Sequence, residues 1–231
     1  EYSTDLMQLE LNGLGLTDGD ILDLKYMINL RYLNLDDNNL TDLSPVSGLT
    51  DLDQINVNNN PDLTDLSPLA GLTELRYVNF SGSPVADYSF MAGLTKLEYV
   101  NLFDVQEDTD LSFLSGLTNA KSFFVSGNGQ MCGVSDLSFL RGMTSLESIG
   151  MPVGSDRDEL DLSPLAELKN LRQLSLYQYG QQTALVTDLS PLAGLTKLEQ
   201  LTLPTAVDTL APLAGLTNLK HLQLAKNGEV D

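Results

Sequence analysis

One phrase of sixteen residues occurs twice in this chain with few changes, as DLSPLAGLTELRYVNF at Asp65–Phe80 and as DLSPLAGLTKLEQLTL at Asp188–Leu203. Aligned on their first strand leucine, or the residue in its place, the copies have frame positions Leu6, Leu30, Leu52, Leu75, Leu97, Ala120, Leu146, Leu171, Leu198 and Leu219. Adjacent frame positions lie 21 to 27 residues apart. One such coil cannot bury its leucines alone, so the repeat predicts a solenoid whose stacked coils share one core.

The best-preserved coil reads LRYLNLDDNNLTDLSPVSGLTD and covers residues 30–51. Its L-x-L centre alternates like a strand with one buried face, so Leu33 and Leu35 are predicted to point inward. The ninth-position asparagine, Asn38, can bond backbone groups where the chain leaves the strand. The Ser-Pro pair predicts a short helical turn, with serine as its cap and proline at its first position.

This pattern resembles the leucine-rich repeat family, and its L-T-D-L-S-P half is similar to the 22-residue repeats of internalin-like bacterial surface proteins. The resemblance spans Leu6 to Leu224. It implies an α/β repeat solenoid: a right-handed leucine-rich repeat horseshoe with about ten coils, a parallel sheet on the concave side and short 3-10 or helical turns on the convex side. It also implies a secreted or cell-surface module that binds a partner protein on its concave face.

The repeat predicts a single domain over residues 1–231, with an atypical first coil at 1–29, regular and inserted coils at 30–218 and an incomplete final coil at 219–231. Asp20 to Asn29 is predicted as the one proper helix. We interpret the abrupt end after a strand as that of a domain from a longer protein. The long spacings place four insertions on one rim, at residues 106–109, 129–135, 155–160 and 180–187. Insertions of this kind often mark the binding side, so this loop rim is predicted to bind the partner together with the concave face, with neutral loop variation as the alternative. The ninth-position asparagine recurs at Asn60, Asn128 and Asn227 and is replaced at Ser83, Val105, Gly154, Tyr179 and Ala206.

The charge balance narrows the classes of partner. With 12 basic and 32 acidic residues, the chain carries a formal charge of −20. Because such an acidic surface repels phosphate backbones and anionic lipid, we predict no nucleic-acid partner. No apolar run approaches the roughly 20 residues that a membrane-spanning helix needs, so no membrane insertion is predicted within this segment.

The chemistry-bearing residues do not form a catalytic set. His221 is the single histidine, at an outward strand position, and Cys132 is the single cysteine, in an insertion. We therefore predict no enzyme activity and no cofactor. Seven aspartates share one repeat position and are predicted to cap turns: Asp42, Asp65, Asp87, Asp110, Asp136, Asp161 and Asp188. The loop Asp156–Asp161, DRDELD, lacks the glycine and the spacing of a calcium loop, so no metal is predicted, with calcium there left open.

The outward strand positions form columns along the predicted sheet, rich in amides, hydroxyls and aromatic rings and without lysine or arginine. This composition is typical of a protein-binding surface. The alternative is that such residues merely suit exposed parallel strands; Phe103 and Phe124 favour binding, because they have no evident packing reason to face outward. The predicted partner-binding residues are Tyr32, Asn56, Tyr77, Asn79, Tyr99, Asn101, Phe103, Phe124 and Tyr177.

The predicted partner is a protein, with a glycan as the alternative. The alternative function is that of an intracellular leucine-rich repeat scaffold or regulatory subunit. The sequence contains no signal for an oligomeric state.

Overall fold

The computed structural model describes residues 5–85, 87–103, 105, 109–126, 133–154, 159–178, 186–204, 207 and 209–225. These residues form ten strands: β1 Gln8–Glu10, β2 Tyr32–Asn34, β3 Gln54–Asn56, β4 Tyr77–Asn79, β5 Tyr99–Phe103, β6 Ser122–Ser126, β7 Ser148–Pro152, β8 Gln173–Tyr177, β9 Gln200–Pro204 and β10 His221–Ala225. Between them lie nine 3-10 helices: η1 Asp18–Tyr26, η2 Ser44–Val46, η3 Ser67–Leu69, η4 Ser89–Gly93, η5 Ser112–Gly116, η6 Ser138–Gly142, η7 Ser163–Leu165, η8 Ser190–Leu192 and η9 Ala211–Leu213.

The strands are parallel, and their order in the sheet is their order along the chain, β1 to β10. Each of the first nine coils thus contributes one strand followed by one 3-10 helix, and the tenth contributes a strand, which confirms the predicted repeat solenoid. The register follows the predicted frame: Tyr32 is aligned with Gln54, and Gln54 with Tyr77. The inward positions are buried as predicted, since Leu33, Leu35, Ile55 and Val57 have no exposed surface.

The first helical segment differs from its prediction. It is a 3-10 helix at Asp18–Tyr26 rather than a longer helix at 20–29. Its buried residues, Ile21 and Leu24, are followed by buried Met27, a spacing of three that matches the three residues per turn of a 3-10 helix. The first turn is held by Asp20, whose Oδ2 accepts hydrogen bonds of 2.8 Å from the Thr17 N–H and hydroxyl.

The repeated aspartates cap the turns, as predicted. In all seven coils, Oδ1 of the aspartate accepts the backbone N–H of the serine two residues later, at 2.7 to 2.8 Å. The predicted role of the serine as the cap is wrong, because the serine is the first helical residue in turns such as η2 and η3, with proline following it. The aspartate can accept this N–H because a side-chain oxygen reaches the N–H two residues later along the chain, as in an Asx-turn.

The chain divides into two compact units, residues 1–100 and 101–231. That the whole chain behaves as one domain stays a prediction.

In the first unit, buried asparagines tie neighbouring coils together. The side chain of Asn60 has no exposed surface. Its Nδ2 donates to the carbonyl oxygens of Leu35 and Val57, both at 3.1 Å, and its Oδ1 accepts the N–H of Leu40 at 3.1 Å. In the next coil Ser83 takes this position, and its hydroxyl donates to the Val57 oxygen at 2.9 Å. The shorter serine therefore keeps part of the bonding of the asparagine.

In the second unit the ninth position is occupied differently. Val105 is buried, and Gly154 lies where the chain returning from an insertion comes very close. A Cβ on Gly133 would lie 2.0 Å from the Gly154 nitrogen, so only glycine fits there. The returning segment then pairs with its neighbour, since the Val134 N–H donates to the Pro152 oxygen at 3.0 Å. Close backbone pairing here takes the place of an asparagine side chain.

Candidate partner-binding face

We use the term strand face for the outward side chains of the strands and of the residues that follow each strand, treated separately in each unit. In the first unit, side-chain hydrogen bonds order this face. Asn34 Nδ2 donates to Glu10 Oε2 at 2.9 Å, and the Asp36 carboxylate accepts the N–H of Asn58 at 2.7 Å. Asn58 Oδ1 in turn accepts the N–H of Ser81 at 2.8 Å. These bonds pre-organise the polar surface before any partner arrives.

Tyrosines rise from this polar surface. The rings of Tyr77 and Tyr99 lie 5.7 Å apart between centroids, tilted by 39°, and Tyr99 is 38% exposed. Burial raises the pKa of the Tyr77 phenol, and the nearby Tyr99 and Asp36 raise it further. Burial also raises the pKa of Tyr32, and Glu10 adds to that effect. Both phenols therefore lie in the negative potential of a carboxylate.

Asn56 lies in the same column of the sheet as Asn34 and Asn79. Its Nδ2 donates a long hydrogen bond of 3.4 Å to the Tyr32 hydroxyl. Its Oδ1 is buried and accepts no hydrogen bond from the described part of the chain. The middle of this face therefore has an acceptor without a donor.

Phe124 on the strand face of the second unit has a packing reason to face outward, contrary to the expectation from sequence. Its ring lies over Gly150 of the neighbouring strand, so closely that a Cβ at Gly150 would come within 2.8 Å of Phe124 Cδ1. The glycine makes room for the ring, and Phe124 is only half-buried. An outward Phe124 is therefore explained by packing as well as by binding.

Tyr177 performs a structural task in the second unit. The Ser148 N–H donates to the Lys121 oxygen, and continuing that ladder places the nitrogen of Pro152 opposite the Val125 oxygen. Proline has no N–H, so this carbonyl lacks its ladder donor. The Tyr177 hydroxyl crosses from the next strand and donates to the Val125 oxygen at 3.0 Å.

The predicted residues are thus divided between the units. Tyr32, Asn56, Tyr77, Asn79 and Tyr99 belong to the strand face of the first unit, and Asn101, Phe103, Phe124 and Tyr177 to that of the second. In the second, the Ser126 hydroxyl donates to Asn101 Oδ1 at 3.2 Å, and Phe103 is half-buried. The assignment of these residues to a partner stays a prediction.

A ladder of charges borders both faces and was missed from sequence. Arg76 lies 3.5 Å from Asp53 and 3.3 Å from Glu98, and Arg172 lies 3.7 Å from Glu147 and 2.9 Å from Glu199. These residues directly precede the first outward column. The signal was available, because that position alternates in sign along the coils: Arg31, Asp53, Arg76 and Glu98, then Lys121, Glu147, Arg172, Glu199 and Lys220.

The other candidate residues show no assembled centre. His221 is exposed. Cys132, Asn128 and Asn227, and most of the four insertions including Asp156–Arg157, lie outside the described residues. Among the residues that the structure describes, no three histidine, cysteine, aspartate or glutamate side chains converge to hold a metal ion. None of the described helices has the length and apolar character to cross a membrane.

Comparison with known proteins supports the assignment of a repeat fold. A family model of two leucine-rich repeats matches residues 28–71. The internalin InlF from Listeria monocytogenes is 31% identical, with a TM-score of 0.74, and the match covers 96% of this chain and 60% of that one. Internalin C2 from the same organism is 28% identical, with a TM-score of 0.66, covering 89% of this chain and 84% of that one. No curated protein sequence matches the chain significantly.

A third solved structure shares the fold. It is the LRR ectodomain of the plant receptor kinase GASSHO1/SCHENGEN3 from Arabidopsis thaliana, in complex with CASPARIAN STRIP INTEGRITY FACTOR 2. At 20% identity and a TM-score of 0.68, it covers 87% of this chain and 25% of that one.

The chain therefore carries leucine-rich repeats and has the leucine-rich repeat fold. Within that class it resembles the internalins of Listeria monocytogenes. It spans 60% of the length of InlF.

Proposed function

We propose that this protein is a non-catalytic recognition module that binds a protein partner through its strand faces. The observation that carries the proposal is the ordered face of the first unit, where the Tyr77–Tyr99 pair stands among fixed amides. Rigid tyrosines on a polar surface supply contact area at little entropic cost, and tyrosine is enriched among residues that dominate binding energy.

The comparisons add support from outside the chain. The plant ectodomain with this fold was solved in complex with a protein factor, and the bacterial structures at 28 to 31% identity are internalins. We extend the proposal to a secreted or cell-surface location on the same resemblance. A glycan ligand is the finer alternative, which soluble competitor sugars can distinguish.

The test is differential capture with the whole chain. Immobilised wild-type protein and its Tyr99→Ala and Phe124→Ala variants are exposed to surface-biotinylated proteins of cultured cells. A partner bound through the strand faces is retained by the wild type and weakened by about 1–3 kcal/mol in each variant, as for hot-spot residues. Thr95→Ala and Lys96→Ala serve as controls, because these exposed residues lie in the turn before β5.

The outcomes separate clearly. Retention by the controls together with loss in both strand-face variants supports the proposal. Loss of the same partner in the two controls but not in the strand-face variants overturns it. Melting curves of each variant verify that the fold is intact.

A further inference from the structure

We propose that the strand face of the first unit recognises a basic segment of its protein partner, with one arginine or lysine side chain held between Asp36 and the Tyr77–Tyr99 pair. This inference rests on the proposed function and specifies the chemistry of the partner at the same face.

As a first step, the charge of the strand face of the first unit favours a basic partner. The acidic residues in the three outward columns of β1 to β4 are Glu10 and Asp36. Among the described residues, these columns contain no lysine or arginine. The chain as a whole carries −20. The bordering residues Arg31, Asp53, Arg76 and Glu98 carry two charges of each sign, so the excess charge of this face is negative. A negative face attracts a partner segment of the opposite sign and raises its rate of encounter.

The second step is the pairing of each carboxylate with a tyrosine. Beyond the effect of burial, Asp36 raises the pKa of Tyr77 and Glu10 raises that of Tyr32, so each phenol lies in the field of a carboxylate. A cation gains from a carboxylate through Coulomb attraction and from an aromatic ring through the quadrupole of its face. Tyr99, 5.7 Å from Tyr77, extends the aromatic wall.

The third step is an excess of hydrogen-bond acceptors. Asp36 accepts one backbone N–H through Oδ1, and Oδ2 has no donor among the described residues. Asn56 Oδ1 in the neighbouring coil accepts nothing from the described residues either, but it is buried, so half-buried Asp36 is the acceptor within reach of a partner. A guanidinium brings five N–H donors and an ammonium three, whereas a carboxylate or phosphate ligand brings acceptors alone. The unmet need on this face is therefore for donors that carry positive charge.

The probe is a fluorescein-labelled peptide, GRGRGRG, with a counterpart in which citrulline replaces each arginine. Citrulline keeps the shape and loses the charge. Fluorescence anisotropy with the whole chain in about 0.15 M salt, where long-range attraction is largely screened, measures both affinities. We expect the arginine peptide to bind about tenfold more tightly than the citrulline peptide.

The variants locate the site. Asp36→Asn keeps the Oδ1 that accepts the Asn58 N–H and removes the charge, so the fold is retained. We expect Asp36→Asn and Tyr99→Ala each to weaken arginine-peptide binding about fivefold, whereas Tyr99→Phe, which keeps a ring, changes it less than about twofold. Asp62→Asn is the matched control, because exposed Asp62 lies off the strand face and its loss changes the net charge equally.

Equal weakening by Asp36→Asn and Asp62→Asn would show diffuse attraction to an acidic protein and overturn the inference. Equal binding of the two peptides would overturn it as well. Neither outcome touches the proposed function, which is decided by the capture of a partner with Tyr99→Ala and Lys96→Ala. Loss of capture in the control alone would remove the proposed function whatever the peptides do.

Discussion

At the scale of single residues, the same type of side chain contributes differently to stability at different positions of a coil. Asn60 is fully buried and forms hydrogen bonds with four backbone groups, whereas Asn56, four residues earlier, is half-buried with one long bond. A buried partner left without its hydrogen bond loses its solvation in full, whereas a poorly bonded amide has little to lose. The position of an asparagine within the coil therefore decides how much it contributes to the free energy of unfolding.

Asn60→Ala should lower the free energy of unfolding by roughly 3 kcal/mol, because it leaves several buried backbone groups of two coils without partners. Asn56→Ala should lower it by less than about 1 kcal/mol. Urea titrations followed by circular dichroism measure both values. Similar losses in the two variants would mean that the buried hydrogen bonds of Asn60 do not set its contribution.

At the scale of the element, turns and strands are completed by side chains from outside them. The first N–H groups of a helix have no acceptor within it, so an aspartate two residues before the serine accepts one of them. The strand β7 ends in a proline, so a tyrosine of β8 provides the missing donor. Each element is therefore sensitive to one defined side chain.

The turn aspartates should make stability depend on pH. The pKa of the Asp188 carboxyl is lowered, first by the Ser190 N–H and then by its hydroxyl. A lowered folded-state pKa means that the charged form stabilises the fold above the unfolded value of about 4, and that this contribution is lost as the pH falls through the folded pKa. Wild type should melt above Asp188→Asn at pH 6, and the difference should shrink as the pH falls below about 4.

The comparison of wild type with Asp188→Asn at the same pH controls for the many other acidic residues, because their titration changes the melting temperature of both proteins alike. Thermal melts in matched buffers give the difference at each pH. A difference that is the same at pH 6 and pH 2 would contradict the role of the carboxylate.

The Tyr177 hydroxyl should contribute more to stability when residue 152 is proline than when it is alanine. Tyr177→Phe should lower the free energy of unfolding by about 1–2 kcal/mol, because the Val125 carbonyl then has no donor among the described residues. In a Pro152→Ala background the restored N–H can serve that carbonyl, and the same change should lower it by less than half as much. The double-mutant cycle, measured by denaturant unfolding, isolates this coupling. Equal effects in both backgrounds would remove the proposed substitution of a hydroxyl for a ladder N–H.

At the scale of the whole molecule, stability should propagate from coil to coil. In a solenoid each coil contacts its neighbours, so the strength of these contacts decides whether the chain unfolds in one step or in parts. The repeat predicts one domain, while the contacts divide the chain into residues 1–100 and 101–231. Unfolding experiments connect these two descriptions.

We expect a single unfolding transition in which both Val57→Ala, in the first unit, and Leu201→Ala, in the second, lower the one melting temperature. Both residues are fully buried inward strand positions. Circular dichroism and tyrosine fluorescence should give coincident curves in each variant. Two transitions, each moved by one substitution alone, would show that the units unfold independently.

The sequence by itself determined the repeat, the inward and outward strand positions and the seven capping aspartates. These features depend on contacts within a coil or between equivalent positions of adjacent coils, so the period contains them. The outward columns could be listed for the same reason, and so could the charge ladder, had that position been aligned.

The tertiary structure alone decided the features in which the coils are not equivalent. Phe124 over Gly150, Gly133 against Gly154, and Tyr177 donating to Val125, 52 residues away, all lie where the spacing between coils is irregular. No repeat position predicts them, because each depends on the backbone path that a particular insertion or proline imposes. The helix at Asp18–Tyr26 is a similar case, since its 3-10 form follows from packing three residues apart against the first coils.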